Sequence, residues 1–306
     1  MLKEADLRGI FVPVVTPFSS DEELDEASFE RYLAHLLSYD IQGVVINGTT
    51  GESPTVAWEE VGRLVRRAQA IMAARKKRIP LIVGTGTNDT RTTVRRTEIA
   101  GQWGADAALV VVPYYSRPSQ AGIVEHFRRT SRTGLPVIAY EIPARTGVNL
   151  TLSSAAEILE MDGVIGMKDS SGGTELISAL AHLTSKPVLC GEDALFHTML
   201  SQGAAGGFLA SANVLTNKFI EVFSRHRSGE TERSKRAFDS LAPLIRLLFE
   251  DSNPAPLKHL LTDRGLIASD TLRAPLRPVS SELKAELEQA WRDINAAGKQ
   301  TENGTD

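Results

Sequence analysis

The chain has 306 residues, 42% of them hydrophobic and 24% charged, which is enough for one large globular domain, since a single α/β barrel uses about 250 residues in its strand–helix units. A formal net charge of -4, a pI of about 5.9 and no Lys/Arg block argue against nucleic acid as a partner. Cys190, the only cysteine, allows no intrachain disulfide or Cys-rich zinc site, residues 1–6 lack the apolar core of a signal peptide, and the longest apolar stretch (107–112) falls far short of the roughly 20 residues that span a bilayer, so a cytoplasmic protein with no membrane partner is expected.

The first apolar, β-branched run is 10–15, followed by a helical pattern in which Phe29, Leu33, Leu36 and Leu37 share a face. Asp25 is a fitting N-cap there, and Leu24 can staple to Phe29 one turn in. A second run, 44–47, precedes Val61, Leu64, Val65, Ala68 and Met72 at helical spacing. Further runs follow at 81–84, 108–112, 136–140, 164–168, 187–191 and 206–210, most of them trailed by helical periodicity. Nearly continuous apolar strands indicate a parallel sheet buried on both faces. Eight such strands predict an α/β fold closed as a (β/α)8 TIM barrel, with a doubly wound open sheet as the alternative. Past about residue 217 the pattern turns helical, at 230–249, 254–262 and 280–297. The expected division is a catalytic barrel over 1–226, a C-terminal helical domain over 227–297 and a disordered tail over 298–306.

Active sites of such barrels form at the C-terminal ends of the strands. The sixth run ends in Lys168, and a lysine there is costly to bury. Partial desolvation makes an amine nucleophilic, as Schiff-base lysines require. The alternative is a lysine that snorkels to the rim or pairs with Asp169. The fifth run ends in Tyr140, whose phenol can point into the barrel mouth near Lys168 and shuttle protons. Beyond it, Arg145 offers a planar fork for a carboxylate, or is a solvated residue of a Pro/Gly-shaped loop. The second run ends Asn47-Gly48-Thr49-Thr50-Gly51-Glu52, where two hydroxyls and exposed amides suit a small carboxylate, unless this is an ordinary turn. The fourth ends Pro113-Tyr114-Tyr115, an aromatic pair that by itself reads as packing. The six histidines show no metal-ligand spacing, so no metal is expected, and Cys190 reads as inert packing.

Together these loops resemble the dihydrodipicolinate synthase / N-acetylneuraminate lyase family. That family carries a Gly-Thr/Ser-Thr-Gly-Glu loop, a Pro-Tyr-Tyr loop, a Tyr-x-x-Pro-x-Arg-Thr-Gly loop and a Gly-x-Lys strand end, all found here in order. Gly191-Glu192-Asp193, Ser211-Ala212-Asn213 and Asn253-Pro254-Ala255-Pro256-Leu257-Lys258 are also similar, and the resemblance extends to about residue 295. It implies that Lys168 forms an imine with pyruvate and that no separate cofactor is needed. It implies that Tyr140 is the acid/base, with Thr49 and Tyr115 in a proton relay and Tyr115 serving a neighbouring subunit, so a homo-oligomer, dimer or tetramer, is expected. Thr50 would hold the pyruvate carboxylate, Arg145 a carboxylate of the incoming aldehyde, and Gly191 and Phe208 would line the pocket.

Two enzyme readings share the enamine and differ in the electrophile. In a synthase it condenses with L-aspartate semialdehyde in lysine and diaminopimelate biosynthesis. In related aldolases and dehydratases the imine serves a 2-keto-3-deoxy sugar acid or a similar keto acid. Thr49, Thr50, Tyr115 and Arg145 favour the synthase. Glu141, where many synthases have Asn, is a departure that could place an extra carboxylate near the aldehyde pocket. A non-catalytic barrel would require an idle Lys168. The resemblance also implies a lysine-binding site between subunits in sensitive members. Trp58 and Val61 stand where some of those members have histidines, Asn88 is kept, Thr92 falls where the glutamate would be, and Asp89 is a possible substitute, so strong inhibition by lysine is not expected.

Overall fold

The computed structural model describes residues 1–302, with side chains through residue 296. Its strands are β1 (Gly9–Pro13), β2 (Gly43–Ile46), β3 (Leu81–Gly84), β4 (Ala107–Val111), β5 (Val137–Glu141), β6 (Val164–Asp169), β7 (Val188–Cys190) and β8 (Gly206–Phe208). Each pairs in parallel with its sequence neighbours, and β8 closes on β1, so the sheet is a complete barrel and not an open doubly wound sheet. The eight expected runs all coincide with strands, with ends shifted by at most two residues. At β1, Val14 and Val15 lie beyond the strand and are still buried, because apolar character reports burial and not pairing.

Helices cover the outside: α1 (Glu26–Leu36), α2 (Trp58–Ala74), α3 (Thr90–Gln102), α4 (Gln120–Thr130), the four-residue α5 (Pro143–Thr146), α6 (Leu152–Glu160), α7 (Glu175–Leu180), α8 (Phe196–Ser201) and α9 (Thr216–Arg227). Asp25 caps α1, accepting the Ser28 N–H at 2.9 Å. Along each strand the pleat sends alternate side chains inward and outward. On β5, Ile138 and Tyr140 join the inner cluster with Phe11, Val45, Leu189 and Phe208, while Val137 and Ala139 join the outer one under the helices. Both faces are therefore apolar, which is why the strands read as unbroken hydrophobic runs.

Four helices follow: α10 (Thr231–Asp239), α11 (Ala242–Leu248), α12 (Ala255–Asp263) and α13 (Ser281–Glu302). The single helix expected over 230–249 is thus two, parted at Ser240 and Leu241. Pro243 has no N–H to donate inside a long helix, but it fits the first turn of a new one. Of the stretch 298–306, the backbone through Glu302 continues α13, and 303–306 lie outside the described residues. No helix among the described residues is long and apolar enough to cross a membrane.

The C-terminal helices are strapped to the mouth of the barrel. Lys258 on α12 meets Glu52, just after β2, at 2.5 Å, and both side chains are essentially fully buried. The ammonium also donates to Thr271 O at 2.7 Å and sits 4.3 Å from the centroid of the Phe18 ring. Burial pushes the Lys258 pKa down and the Glu52 pKa up, since each charge has left water. Arg273 adds a two-pronged contact to Glu60 on α2, at 2.6 and 2.7 Å.

Candidate functional site

Lys168 is the penultimate residue of β6 and is 7% exposed, inside the barrel mouth. Its register partner on β5 is Tyr140, and the Lys168 Nζ lies 4.2 Å from the centroid of that ring. The pleat turns the next pair, Glu141 and Asp169, to the other side of the wall. Asp169 therefore does not pair with Lys168. It is fully buried and accepts the Ser171 N–H at 2.9 Å.

The β2 loop folds into a tight turn over Thr49–Gly51. Asn47 enters it with φ 62°, a left-handed conformation that asparagine tolerates, and its side chain donates to Gly84 O at 2.7 Å. Thr16 Oγ1 donates to Gly51 O at 2.7 Å and pins the turn from β1's side. Thr50 is buried, and its hydroxyl accepts from the Asn253 side chain at 3.0 Å.

Seven of the eight candidate residues, Thr49, Thr50, Tyr140, Arg145, Lys168, Gly191 and Phe208, line one cavity of about 220 Å³. Gly191 is demanded by close approach. A Cβ there would stand 2.5 Å from Lys168 Cε and 2.1 Å from Ser170 Oγ. A second cavity of about 320 Å³ adjoins the first across Thr49, Tyr140, Arg145 and Asn253, and Tyr114 contributes to its wall. The two together form an elongated site with the lysine at one end and Arg145 between the chambers.

Tyr115 is not brought into either cavity. It is 88% exposed, with φ 70°, an outlying conformation for an aromatic residue. Glu141 is the other departure from expectation. It lines neither cavity, because it faces the outer side of the strand, where it is buried and accepts the Leu150 N–H at 2.9 Å. Desolvation pushes its pKa up to about 7, and nearby Asp169 adds to the rise.

Among the lining residues with no role assigned from the sequence are Asn253, Glu192 and Asp193. The signal for Asn253 was the Asn-Pro-Ala-Pro-Leu-Lys stretch, but only folding brings it to Thr50 across 203 positions. Glu192 and Asp193 follow Gly191. Asp193 ties β7 to β8 by accepting Ala210 N–H at 3.2 Å and Ser211 N–H at 2.5 Å. The pKa values of Glu192 and Asp193 are both raised, first by burial. Cys190 is fully buried, and burial pushes its thiol pKa well up, so it is a poor nucleophile.

Comparison with known proteins agrees with this geometry. The dihydrodipicolinate synthetase family model matches residues 6–294. The 4-hydroxy-tetrahydrodipicolinate synthase 2 of Clostridium acetobutylicum is 35% identical over 286 residues, covering 92% of this chain and 98% of that protein. Among solved structures, dihydrodipicolinate synthase from Thermotoga maritima is 34% identical with a TM-score of 0.90, covering 94% of this chain and 98% of that one. The chloride-inhibited enzyme from Acinetobacter baumannii, solved with pyruvate, is 32% identical with a TM-score of 0.90, covering 94% and 99%. With a closed eight-stranded barrel, a lysine at the end of its sixth strand and a family match along nearly its whole length, this chain belongs to the dihydrodipicolinate synthetase family.

Proposed function

We propose that this chain is a Schiff-base lyase that condenses pyruvate with L-aspartate semialdehyde to 4-hydroxy-tetrahydrodipicolinate, using no cofactor beyond its own lysine. The observation that carries this reading is the buried Lys168 amine, 4.2 Å from the Tyr140 ring, in a cavity sized for a small keto acid. The Lys168 amine adds to the C2 carbonyl of pyruvate and water leaves, giving the imine. Loss of a methyl proton then gives the enamine, whose carbon attacks the aldehyde. The product's own amine attacks C2 and expels Lys168, which regenerates the enzyme. Tyr140 is the acid/base for these transfers, with Thr49 in the relay. Thr50 and the amides of its turn hold the pyruvate carboxylate, Arg145 takes the carboxylate of the aldehyde, and Gly191 and Phe208 form walls.

Tyr115 completes the relay of a neighbouring subunit, which its exposure on a strained loop supports. The working form is therefore a homo-oligomer, in the cytoplasm. A carboxylate in the cavity, Glu192, is the feature that favours a hydroxylated keto acid instead, and a substrate panel separates the two readings. The direct test is trapping: pyruvate plus borohydride adds mass to the Lys168 peptide, and full-yield trapping in Lys168→Ala would sink the assignment. In the same set, inactive Tyr115→Phe and Lys168→Ala subunits regain activity when mixed. No recovery in verified hybrids would count against a shared site.

A further inference from the structure

Glu141, expected from the sequence near the aldehyde pocket, lies elsewhere, and its place in the fold shows what it holds. It ends β5 one position after Tyr140, with its side chain on the opposite face of the strand and 1% exposed. Its Oε1 accepts the Leu150 N–H, nine positions onward, at 2.9 Å. Everything between these two points is the loop that bears Arg145: Ile142, the single turn of α5, Gly147 in a left-handed conformation with φ 75°, and the run to Leu150. A second side chain secures the same stretch from another element. Gln120, the first residue of α4, donates to Asn149 O at 2.8 Å and accepts the Thr151 N–H at 3.0 Å. The loop's far end is thus fastened on two sides, while Arg145 itself projects from the exposed middle and borders both cavities.

Glu141 is poorly served by its surroundings. Its Oε2 finds no partner among the described residues, and Asp169 stands opposite it in the register. A carboxyl buried beside another carboxyl does not stabilise the wall. Its one satisfied contact is the bond that closes the Arg145 loop.

We propose that Glu141 is a positioning residue for aldehyde recognition: by tying Leu150 to the end of β5 it sets where the Arg145 guanidinium meets the substrate. This rests on the reading of Arg145 as the group that receives the aldehyde's carboxylate. In the same reading pyruvate is held by Lys168 on β6 and by the β2 loop, neither of which is bonded to the Glu141 side chain, so its binding should depend less on this bond.

The test compares steady-state KM values for both substrates in the wild type, Glu141→Met, Glu141→Gln and Arg145→Ala. Met fills a similar buried volume and deletes the acceptor, whereas Gln retains one. Glu141→Met is expected to raise the aldehyde KM about tenfold, the scale of one weakened charge-assisted contact, with the pyruvate KM within about twofold of wild type. Gln is expected to recover most of the loss. If Arg145→Ala raises the aldehyde KM and Glu141→Met does not, the positioning role is overturned while the Arg145 reading stands. If Arg145→Ala leaves the aldehyde KM unchanged, the Arg145 reading fails and the proposal falls with it. Hydrogen exchange supplies a readout independent of any variant's folding. The Leu150 amide of the wild type is expected to exchange at least about 100-fold more slowly than an open-loop amide, and exchange at the open rate would overturn the bond on which the proposal stands.

Discussion

At the scale of single residues, the site depends as much on a missing atom as on the groups present. Lys168 can lie across the barrel mouth only because Gly191 on the adjacent strand end has no side chain. Gly191→Ala would force Lys168 Cε and Ser170 Oγ aside, since contacts of 2.5 and 2.1 Å cannot persist. Both are side-chain atoms able to swing away, so the variant should fold. The displaced amine should then form the pyruvate imine about 100-fold more slowly, the usual penalty of roughly an ångström of misplacement. Borohydride trapping measures this, and a wild-type rate would show that Lys168 works from another position. Lys168 and Tyr140 were legible in the sequence because each ends an apolar run, and Arg145 because it stands in the loop just beyond one. Glu141 was misplaced beside the substrate because its side of the strand follows from the one-residue alternation of the pleat, which a loosely bounded run does not specify.

At the scale of elements, the turn over Thr49–Gly51 is held by a helix more than 200 residues away in sequence. The buried Glu52–Lys258 pair joins that turn to α12, and Asn253 reaches Thr50 from the residues just before the same helix. Two buried charges do not stabilise a fold strongly, because desolvation offsets their attraction, but removing one strands the other. Glu52→Gln leaves the Lys258 ammonium buried without a counter-charge and should cost about 3–5 kcal/mol in urea unfolding. A loss below about 1 kcal/mol would show that the pair is relaxed or open to water. The sequence displayed α12 as a helical pattern and Glu52 as part of a loop, but it carried no sign of their contact. The split of α10 from α11 was readable from Pro243, which the hydrophobic periodicity masked.

At the scale of the whole molecule, the faces turned outward decide what else the enzyme can bind. Trp58 stacks on Trp103 with ring centroids 4.9 Å apart, and Arg96 lies 5.0 Å from the Trp58 ring, so an aromatic cluster occupies one of the two positions where the resemblance implies histidine in lysine-sensitive members. Asp89 is already engaged as the N-cap of α3, accepting the Thr92 N–H at 2.8 Å. With Thr92 in place of the expected glutamate and Asp89 committed to the helix cap, lysine should bind about 10- to 100-fold more weakly than to a sensitive enzyme. A lysine titration at saturating pyruvate checks this, and half-inhibition at sub-millimolar lysine would refute it.

The barrel itself was determined by the sequence alone. Eight short apolar runs separated by helical periodicity leave few ways to bury both faces of every strand, and closure into a ring is the one that also removes sheet edges. The lysine at the sixth strand end and the three loops around it were readable for the same reason, since strand ends in this architecture converge on one mouth. Tertiary structure alone decided which side of the wall each neighbour faces and that Asn253 and Lys258 close over the β2 turn. Those facts depend on pleat register and on contacts across hundreds of positions, which local hydrophobic patterns do not encode.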